Sequence, residues 1–164
     1  MKELTASVRE QIDHWIAKYP ANQKQSAVIA ALTIVQEHNG GWLTNELVET
    51  VADYLGIPKI AAYEVATFYS MLELSPTGQH KINVCNSISC MLRGSEKIIE
   101  HLKKRLRINV NETTPNGKFT LKAVECLAAC ANAPACYIGK QYYEDLTPSK
   151  IDAILDTLEG QTHG

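Results

Sequence analysis

The residues of this 164-residue chain with the clearest capacity for chemistry are its five cysteines. Four of them form two close pairs, Cys85 with Cys90 and Cys126 with Cys130, and Cys136 follows separately. Each pair begins where an alternating, strand-like segment ends. Loops that leave neighbouring strands of one sheet can present four thiolates to a common site, which is the ligand set of an iron–sulfur cluster.

The residues around the two pairs are small. Asn86, Ser87 and Ser89 in the first loop, and Ala128 and Ala129 in the second, leave room for backbone N–H groups to approach sulfur. Such donors stabilise the negative charge of a cluster. The two loops are therefore expected to suit one bound iron–sulfur cluster. Its ligands, called the four candidate cysteines below, are Cys85, Cys90, Cys126 and Cys130.

Other uses of these cysteines stay open from spacing alone. Structural zinc also takes four cysteines at such spacings, and free cysteine can pack as a small hydrophobic residue. A dithiol redox motif is disfavoured because the sequence lacks the C-x-x-C that it requires. Cys136 follows Pro134 in a predicted strand and is expected to be a buried packing residue, although an exchange with Cys130 as ligand is conceivable.

Composition places the chain among ordinary globular proteins. Apolar residues make up 45% and charged residues 21%, and the formal net charge is -2. This charge gives no bulk attraction to nucleic acid or to an anionic membrane surface. No apolar run approaches the length of a membrane span, and the clustered, odd-numbered cysteines do not suit a disulfide framework. We expect a soluble, cytoplasmic protein whose thiols bind a metal.

The first half of the chain has helical periodicity. The pattern predicts four helices, with Thr44 as the N-cap of the third, Gly56 as its end, and Pro58 opening the fourth. An aromatic-rich stripe on the fourth helix, which includes Phe68 and Tyr69, favours the core over a docking surface. Turn-forming residues then cluster over 75–78. We therefore predict an N-terminal helical bundle over 1–76.

After this boundary the pattern changes to strands and helices, which predicts an α/β domain over 77–164. Ile82 and Val84 alternate in a strand that leads into Cys85, and a helix follows over 95–106. A second strand begins near Phe119, and a hairpin turns at Gly139. Further predicted elements are hairpin strands over 135–138 and 141–143 and a last helix with Thr147 as N-cap and Pro148 as its first residue.

A different class of function uses the segment from Leu47 to Tyr69, which has the form of a helix-turn-helix. An iron–sulfur transcription regulator would combine it with the cysteines. Against this, the candidate recognition helix carries only Lys59 as a cation and includes the acidic Glu64. This composition suits neither contacts with phosphates nor contacts with base edges. No G-x-G-x-x-G follows a predicted strand, so a nucleotide is expected to bind on another chain.

Three runs of residues resemble a known family. They are the 65–69 run Val-Ala-Thr-Phe-Tyr, the 85–94 run from Cys85 through Cys90 to Arg93-Gly94, and the 125–134 run that holds Cys126 and Cys130. Together they are similar to the 24-kDa, NuoE-type subunit family of respiratory complex I, the NADH:quinone oxidoreductase. The resemblance extends over nearly the whole chain.

The resemblance implies a thioredoxin-like [2Fe-2S] ferredoxin domain behind a helical domain, with the four candidate cysteines as ligands. It also implies a partner subunit that holds FMN and the NADH site, together with other peripheral-arm subunits of the complex. On this basis we expect an electron-transfer subunit of an oxidoreductase, without a complete active site or catalytic side chain of its own. It would be peripheral on the cytoplasmic side of the inner membrane. Similar subunits occur in NAD-linked hydrogenases and formate dehydrogenases, which leaves the terminal acceptor open.

Overall fold

The computed structural model describes residues 4–160, and its backbone packing divides the chain into two compact units between Pro76 and Thr77. In the described part of the first unit, every regular element is helical. A 3-10 turn precedes the second helix. The four α-helices are α1 (Ala6–Ile16), α2 (Val28–His38), α3 (Asn45–Leu55) and α4 (Lys59–Phe68).

Local signals in the sequence set the ends of these helices. The Thr44 hydroxyl accepts a hydrogen bond from the backbone N–H of Leu47 at 3.2 Å, which caps the start of α3. Gly56 ends α3 in the left-handed conformation with φ of 69°, where a Cβ would be strained. Both predicted boundaries of α3 are therefore confirmed. Buried apolar residues of all four helices form one core.

The predicted burial of the aromatic stripe on α4 is wrong for one residue. Phe68 is 80% exposed, whereas Tyr63 and Tyr69 pack at the edge of the core. The buried positions of α4 are Ala62 and Ala66, which are four residues apart and share a face. Phe68 lies away from that face, and the small alanines leave room for the neighbouring helices to approach closely.

The second unit is built on a four-stranded sheet. Its strands are β1 (His80–Cys85), β2 (Phe119–Val124), β3 (Cys136–Ile138) and β4 (Gln141–Tyr143), in the spatial order β2-β1-β3-β4. β1 is parallel to β2, while β3 is antiparallel to both β1 and β4. The strand pattern and the hairpin were predicted correctly, because alternation and turn residues are local signals.

Three helices accompany the sheet. They are α5 (Ile88–Leu92), α6 (Ser95–Leu106) and α7 (Pro148–Gly160). The last two match the predicted helices, and the Thr147 hydroxyl accepts from the Lys150 N–H at the start of α7. α5 was not predicted, since five residues give too short a pattern to recognise. Apolar side chains of β1, β2, α6 and α7 make a second core.

The chain therefore has the predicted α+β organisation. Within residues 4–160, none of the helices combines the length and the apolar character needed to cross a lipid bilayer.

Candidate cluster-binding site

The strand directions bring the cysteine loops to one edge of the sheet. β1 and β2 are parallel and in register, with Cys85 beside Val124, so both strands end at the same edge. β3 is antiparallel to β1 and pairs Cys136 with Val84, so β3 begins where β1 ends. The loops after β1, after β2 and before β3 therefore meet there, as predicted for loops that follow neighbouring strands.

Backbone hydrogen bonds continue past the strand ends and join the loops. The N–H of Cys85 donates to the carbonyl oxygen of Ala135 at 3.1 Å, and the N–H of Ser87 donates to that of Glu125 at 3.2 Å. The Ser87 hydroxyl and the Cys85 thiol also donate to the Glu125 oxygen, the thiol at 3.0 Å. The first cysteine loop is thus tied directly to both other loops.

The first pair of candidate cysteines is buried together. Cys85 is 3% exposed and Cys90 is 2% exposed, and they pack with Ala133 and Leu127 in a small cluster of their own. α5 carries Cys90, whose side chain forms a hydrogen bond with that of Cys85 at the end of β1. The thiols of the second pair are exposed. One half of the candidate ligand set therefore lies inside the fold and the other at its surface.

Backbone donors are directed at the sulfur of Cys85. Burial raises the pKa of this thiol, but hydrogen bonds from the backbone N–H groups of Ser87 and Leu127 and from the Cys90 thiol together hold the pKa below its ordinary value. These donors favour the anionic sulfur. Metal-bound cysteine is a thiolate, so the same donors suit a metal ligand.

The pKa of Cys90 is shifted in the opposite direction. Burial and the hydrogen bond to Cys85 raise its pKa, and the charges of Cys85 and Cys130 raise it further, while the backbone N–H of Ala135 lowers it. A cation positioned among these sulfurs would remove their mutual repulsion, which is the electrostatic requirement of a metal centre.

The loop from Cys126 to Cys130 has an unusual backbone conformation. Ala128 has φ of 56°, in the left-handed region that costs a non-glycine residue about 1 kcal/mol or more. In this conformation its N–H lies 3.4 Å from the sulfur of Cys126 and donates to it. The loop continues into a 3-10 turn at Cys130–Asn132, and the Asn132 amide donates to the Glu144 carboxylate at 2.9 Å.

The four candidate cysteines are not arranged around a single point. Within the described residues, no three Cys, His, Asp or Glu side chains converge as they would around one metal ion. A structural zinc ion needs four donors about 2.3 Å from its centre. A [2Fe-2S] cluster instead distributes four thiolates over two irons. Two thiolate pairs on one sheet edge are the donor set that a two-iron cluster requires.

Cys136 has the surroundings of a packing residue, as predicted. It is fully buried in the core of the second unit, within β3. Burial raises the pKa of its thiol to about 12, and the nearby charge of Lys150 only partly opposes this. Its side chain is enclosed by the apolar residues of this core, whereas Cys85 and Cys90 lie in a separate small cluster at the sheet edge.

This raised pKa predicts a loss of stability at alkaline pH. In the unfolded chain the Cys136 thiol ionises above its ordinary pKa of about 8.5. In the folded chain it stays protonated until about pH 12, so ionisation favours the unfolded state between these values. We expect this group to lower the free energy of unfolding by about 2 kcal/mol between pH 8 and pH 10. Urea unfolding of the metal-free chain and of Cys136→Ala, at both pH values, measures this difference. Equal losses in the two proteins would contradict it.

Comparison with known proteins decides the family. Residues 12–159 match the family model described as thioredoxin-like [2Fe-2S] ferredoxin. The chain belongs to this family. It is 48% identical over 143 residues to the E-type subunit of the NADH-quinone oxidoreductase of Rickettsia bellii, covering 87% of this chain and 86% of the relative. Another relative is the mitochondrial NADH dehydrogenase [ubiquinone] flavoprotein 2 of Dictyostelium discoideum, 44% identical over 91% of this chain and 60% of the relative.

A solved structure supports the fold of this thioredoxin-like [2Fe-2S] ferredoxin. A chain of an NAD+-reducing [NiFe]-hydrogenase, in its H2-reduced state, matches with a TM-score of 0.68 and 17% sequence identity over 80% of this chain. The match spans only 22% of the hydrogenase chain. At this identity the likeness concerns the fold alone. Family membership supports a [2Fe-2S] cluster as the cofactor, and the donors described above fit such a group.

Several residues of the site were not singled out as donors by the sequence pattern. The N–H groups of Leu127 and Ala135 act on sulfur through the backbone, so their side chains carry no signal. The Arg93 Nε donates to the Ala133 carbonyl oxygen at 2.8 Å and holds the loop before β3. Arg93 did lie in a run that resembles the family, and this was the only available sign of its importance.

Proposed function

We propose that the chain is the [2Fe-2S] electron-transfer subunit of the NADH-oxidising module of an NADH:quinone oxidoreductase, complex I. The observation that carries this is the gathering of two cysteine pairs, with N–H donors directed at their sulfurs, in a chain of the thioredoxin-like [2Fe-2S] ferredoxin family. The names of its relatives support the complex. The proposed ligands are the four candidate cysteines.

The roles of the chain's own residues follow from the site. When bound, a [2Fe-2S] cluster accepts and releases single electrons. The thiolates of the four candidate cysteines would hold it, and the N–H groups of Ser87, Leu127 and Ala135 donate to sulfur and so would stabilise its negative charge. Burial of Cys85 and Cys90 keeps water from one side. No side chain is assigned to proton transfer, so the proposed active site is incomplete in this chain alone.

The proposed partner is a subunit that binds FMN and NADH, alongside other peripheral-arm subunits, on the cytoplasmic side of the membrane. The first unit would be a helical bundle that precedes the cluster domain in the sequence, with the boundary after residue 76. Quinone is the proposed final acceptor because the relatives are named for it. The structure offers no support for a regulator that binds DNA. Lys59 is the cation of α4, and it is in an ion pair with Glu49.

The test is anaerobic purification of the chain, followed by iron, zinc and acid-labile sulfide analysis and EPR. We expect about two irons and two sulfides per chain and an EPR signal after dithionite reduction. NADH should reduce the cluster only when the FMN-binding subunit is added, because the chain is proposed to have no nucleotide site. Zinc without sulfide would refute the cluster. Reduction by NADH without the partner would refute the proposal that the NADH site lies on the FMN-binding subunit.

A further inference from the structure

The segment 132–135, which leads from the second cysteine loop into β3, is held through its backbone carbonyl groups. Three of these carbonyls accept hydrogen bonds from backbone N–H groups of other segments, with N···O distances from 2.7 to 3.1 Å. The three pairs, acceptor first, are Asn132 with Asp145, Pro134 with Leu146, and Ala135 with Cys85. The carbonyl of Ala133 accepts instead from a side chain, because the Nε of Arg93 donates to it at 2.8 Å.

The bond between Arg93 and Ala133 joins two parts of the candidate site. Arg93 ends α5, the short helix that carries Cys90. Ala133 is 1% exposed and packs against Cys85 and Cys90. Water has little access to a carbonyl in such a position, so the loss of its donor would leave a buried polar group unsatisfied. Arg93 therefore fixes the segment 132–135 against the first cysteine loop.

Ala135 is the residue through which this segment reaches the sulfurs. Its N–H donates to the sulfur of Cys90, and its carbonyl accepts from the N–H of Cys85 at 3.1 Å. Hydrogen bonds to the sulfurs of a cluster raise its reduction potential, because they stabilise the more negative, reduced state. The position of Ala135 thus affects both members of the buried cysteine pair.

The charge of Arg93 acts in the same direction as this hydrogen bond. Arg93 makes no ion pair with any residue in the described part of the chain. The stretches 86–92 and 126–139 contain no charged residue, although charged residues make up 21% of the chain. A cation that no local carboxylate neutralises favours added negative charge nearby. Both effects of Arg93 would therefore stabilise the reduced state.

We propose that Arg93 is a positioning residue that sets the reduction potential of the cluster by holding the segment 132–135 against the first cysteine loop. This inference rests on the proposed function and adds a residue that is not itself a ligand. Without the Arg93 side chain, the Ala133 carbonyl loses its donor and the Ala135 N–H is no longer fixed on the Cys90 sulfur. The sulfur then carries its negative charge with less support.

The first measurement is a potentiometric titration of the cluster-loaded, full-length chain, followed by EPR. We expect Arg93→Ala to lower the ratio of reduced to oxidised cluster about tenfold at a fixed potential, which corresponds to about 59 mV. Arg93→Lys keeps the positive charge and an N–H donor, so it should recover at least half of this shift. The matched control is Lys104→Ala, which removes an exposed cation from the last turn of α6 and should change the ratio less than twofold.

The second measurement is hydrogen exchange of the Cys85 amide in the metal-free chain. This amide donates to the Ala135 carbonyl, so it reports the position of the segment without the cluster. We expect exchange at least tenfold faster in Arg93→Ala and within threefold of the wild type in Arg93→Lys. The Leu121 amide, which donates to the Glu112 carbonyl at 3.1 Å, should exchange within twofold of the wild-type rate in both variants.

The outcomes separate this inference from the function on which it rests. A potential in Arg93→Ala equal to that of the wild type would overturn the inference and leave the electron-transfer role intact. A lowered potential with unchanged exchange at Cys85 would also overturn it, because Arg93 would then act by its charge alone. A chain without iron and sulfide would refute the electron-transfer role, whereas the amide exchange would still decide whether Arg93 positions the segment.

Discussion

Replacing Cys126 with serine should abolish the cluster. Cys126 is one of the four proposed ligands, and a serine hydroxyl is a poor substitute for a thiolate at iron. We expect the iron and sulfide content of the Cys126→Ser variant to fall below about a tenth of the wild-type values, with loss of the EPR signal. Because Cys126 is exposed, the metal-free variant should unfold within about 0.5 kcal/mol of the metal-free wild type.

The matched control for this experiment is Cys136→Ala. Cys136 is fully buried in an apolar core, so alanine is preferable to serine, whose hydroxyl would lack a partner there. The variant should keep its iron, sulfide and EPR signal while losing about 1 kcal/mol of stability from the smaller side chain. Loss of the cluster in Cys136→Ala together with its retention in Cys126→Ser would overturn the proposed ligand set.

Substituting alanine for Gly78 should strongly destabilise the second unit. A Cβ at this position would lie 2.8 Å from the backbone carbonyl carbon of Phe119 and 3.1 Å from the oxygen of Gly117. Both are backbone atoms and cannot move aside as a side chain can. The Gly78 N–H also donates to the Thr120 hydroxyl at 2.6 Å, which fixes its position. We expect a loss of about 3 kcal/mol.

Gly160→Ala provides the control for this change. Gly160 is the last residue of α7, and a Cβ there would meet no atom within 4 Å. Its stability should stay within about 0.5 kcal/mol of the wild type, or rise slightly because alanine favours a helix. Thermal unfolding of both variants measures the difference, and we expect Gly78→Ala to melt roughly 10 °C lower. Equal melting temperatures would show that the backbone near Phe119 yields to the added methyl group.

The sequence by itself determined most of the helices and strands and the type of metal ligand that the chain offers. Capping residues such as Thr44 and Thr147 form local hydrogen bonds, so they marked helix starts correctly. Alternation before Cys85 marked β1, because side chains point to opposite faces along a strand. The cysteines pointed to a metal site because the type of ligand depends only on which residues are present.

Tertiary structure decided what depends on residues far apart in the chain. The parallel register of β1 and β2 places Cys85 beside Val124, and sequence pattern does not specify which strands pair or in which register. The N–H donors of Leu127 and Ala135 depend on backbone placement and carry no side-chain signal. The exposure of Leu92 and Phe68 likewise follows from which faces pack together. An apolar residue has the same periodicity whether its own core or a partner covers it, so only the folded chain separates the two.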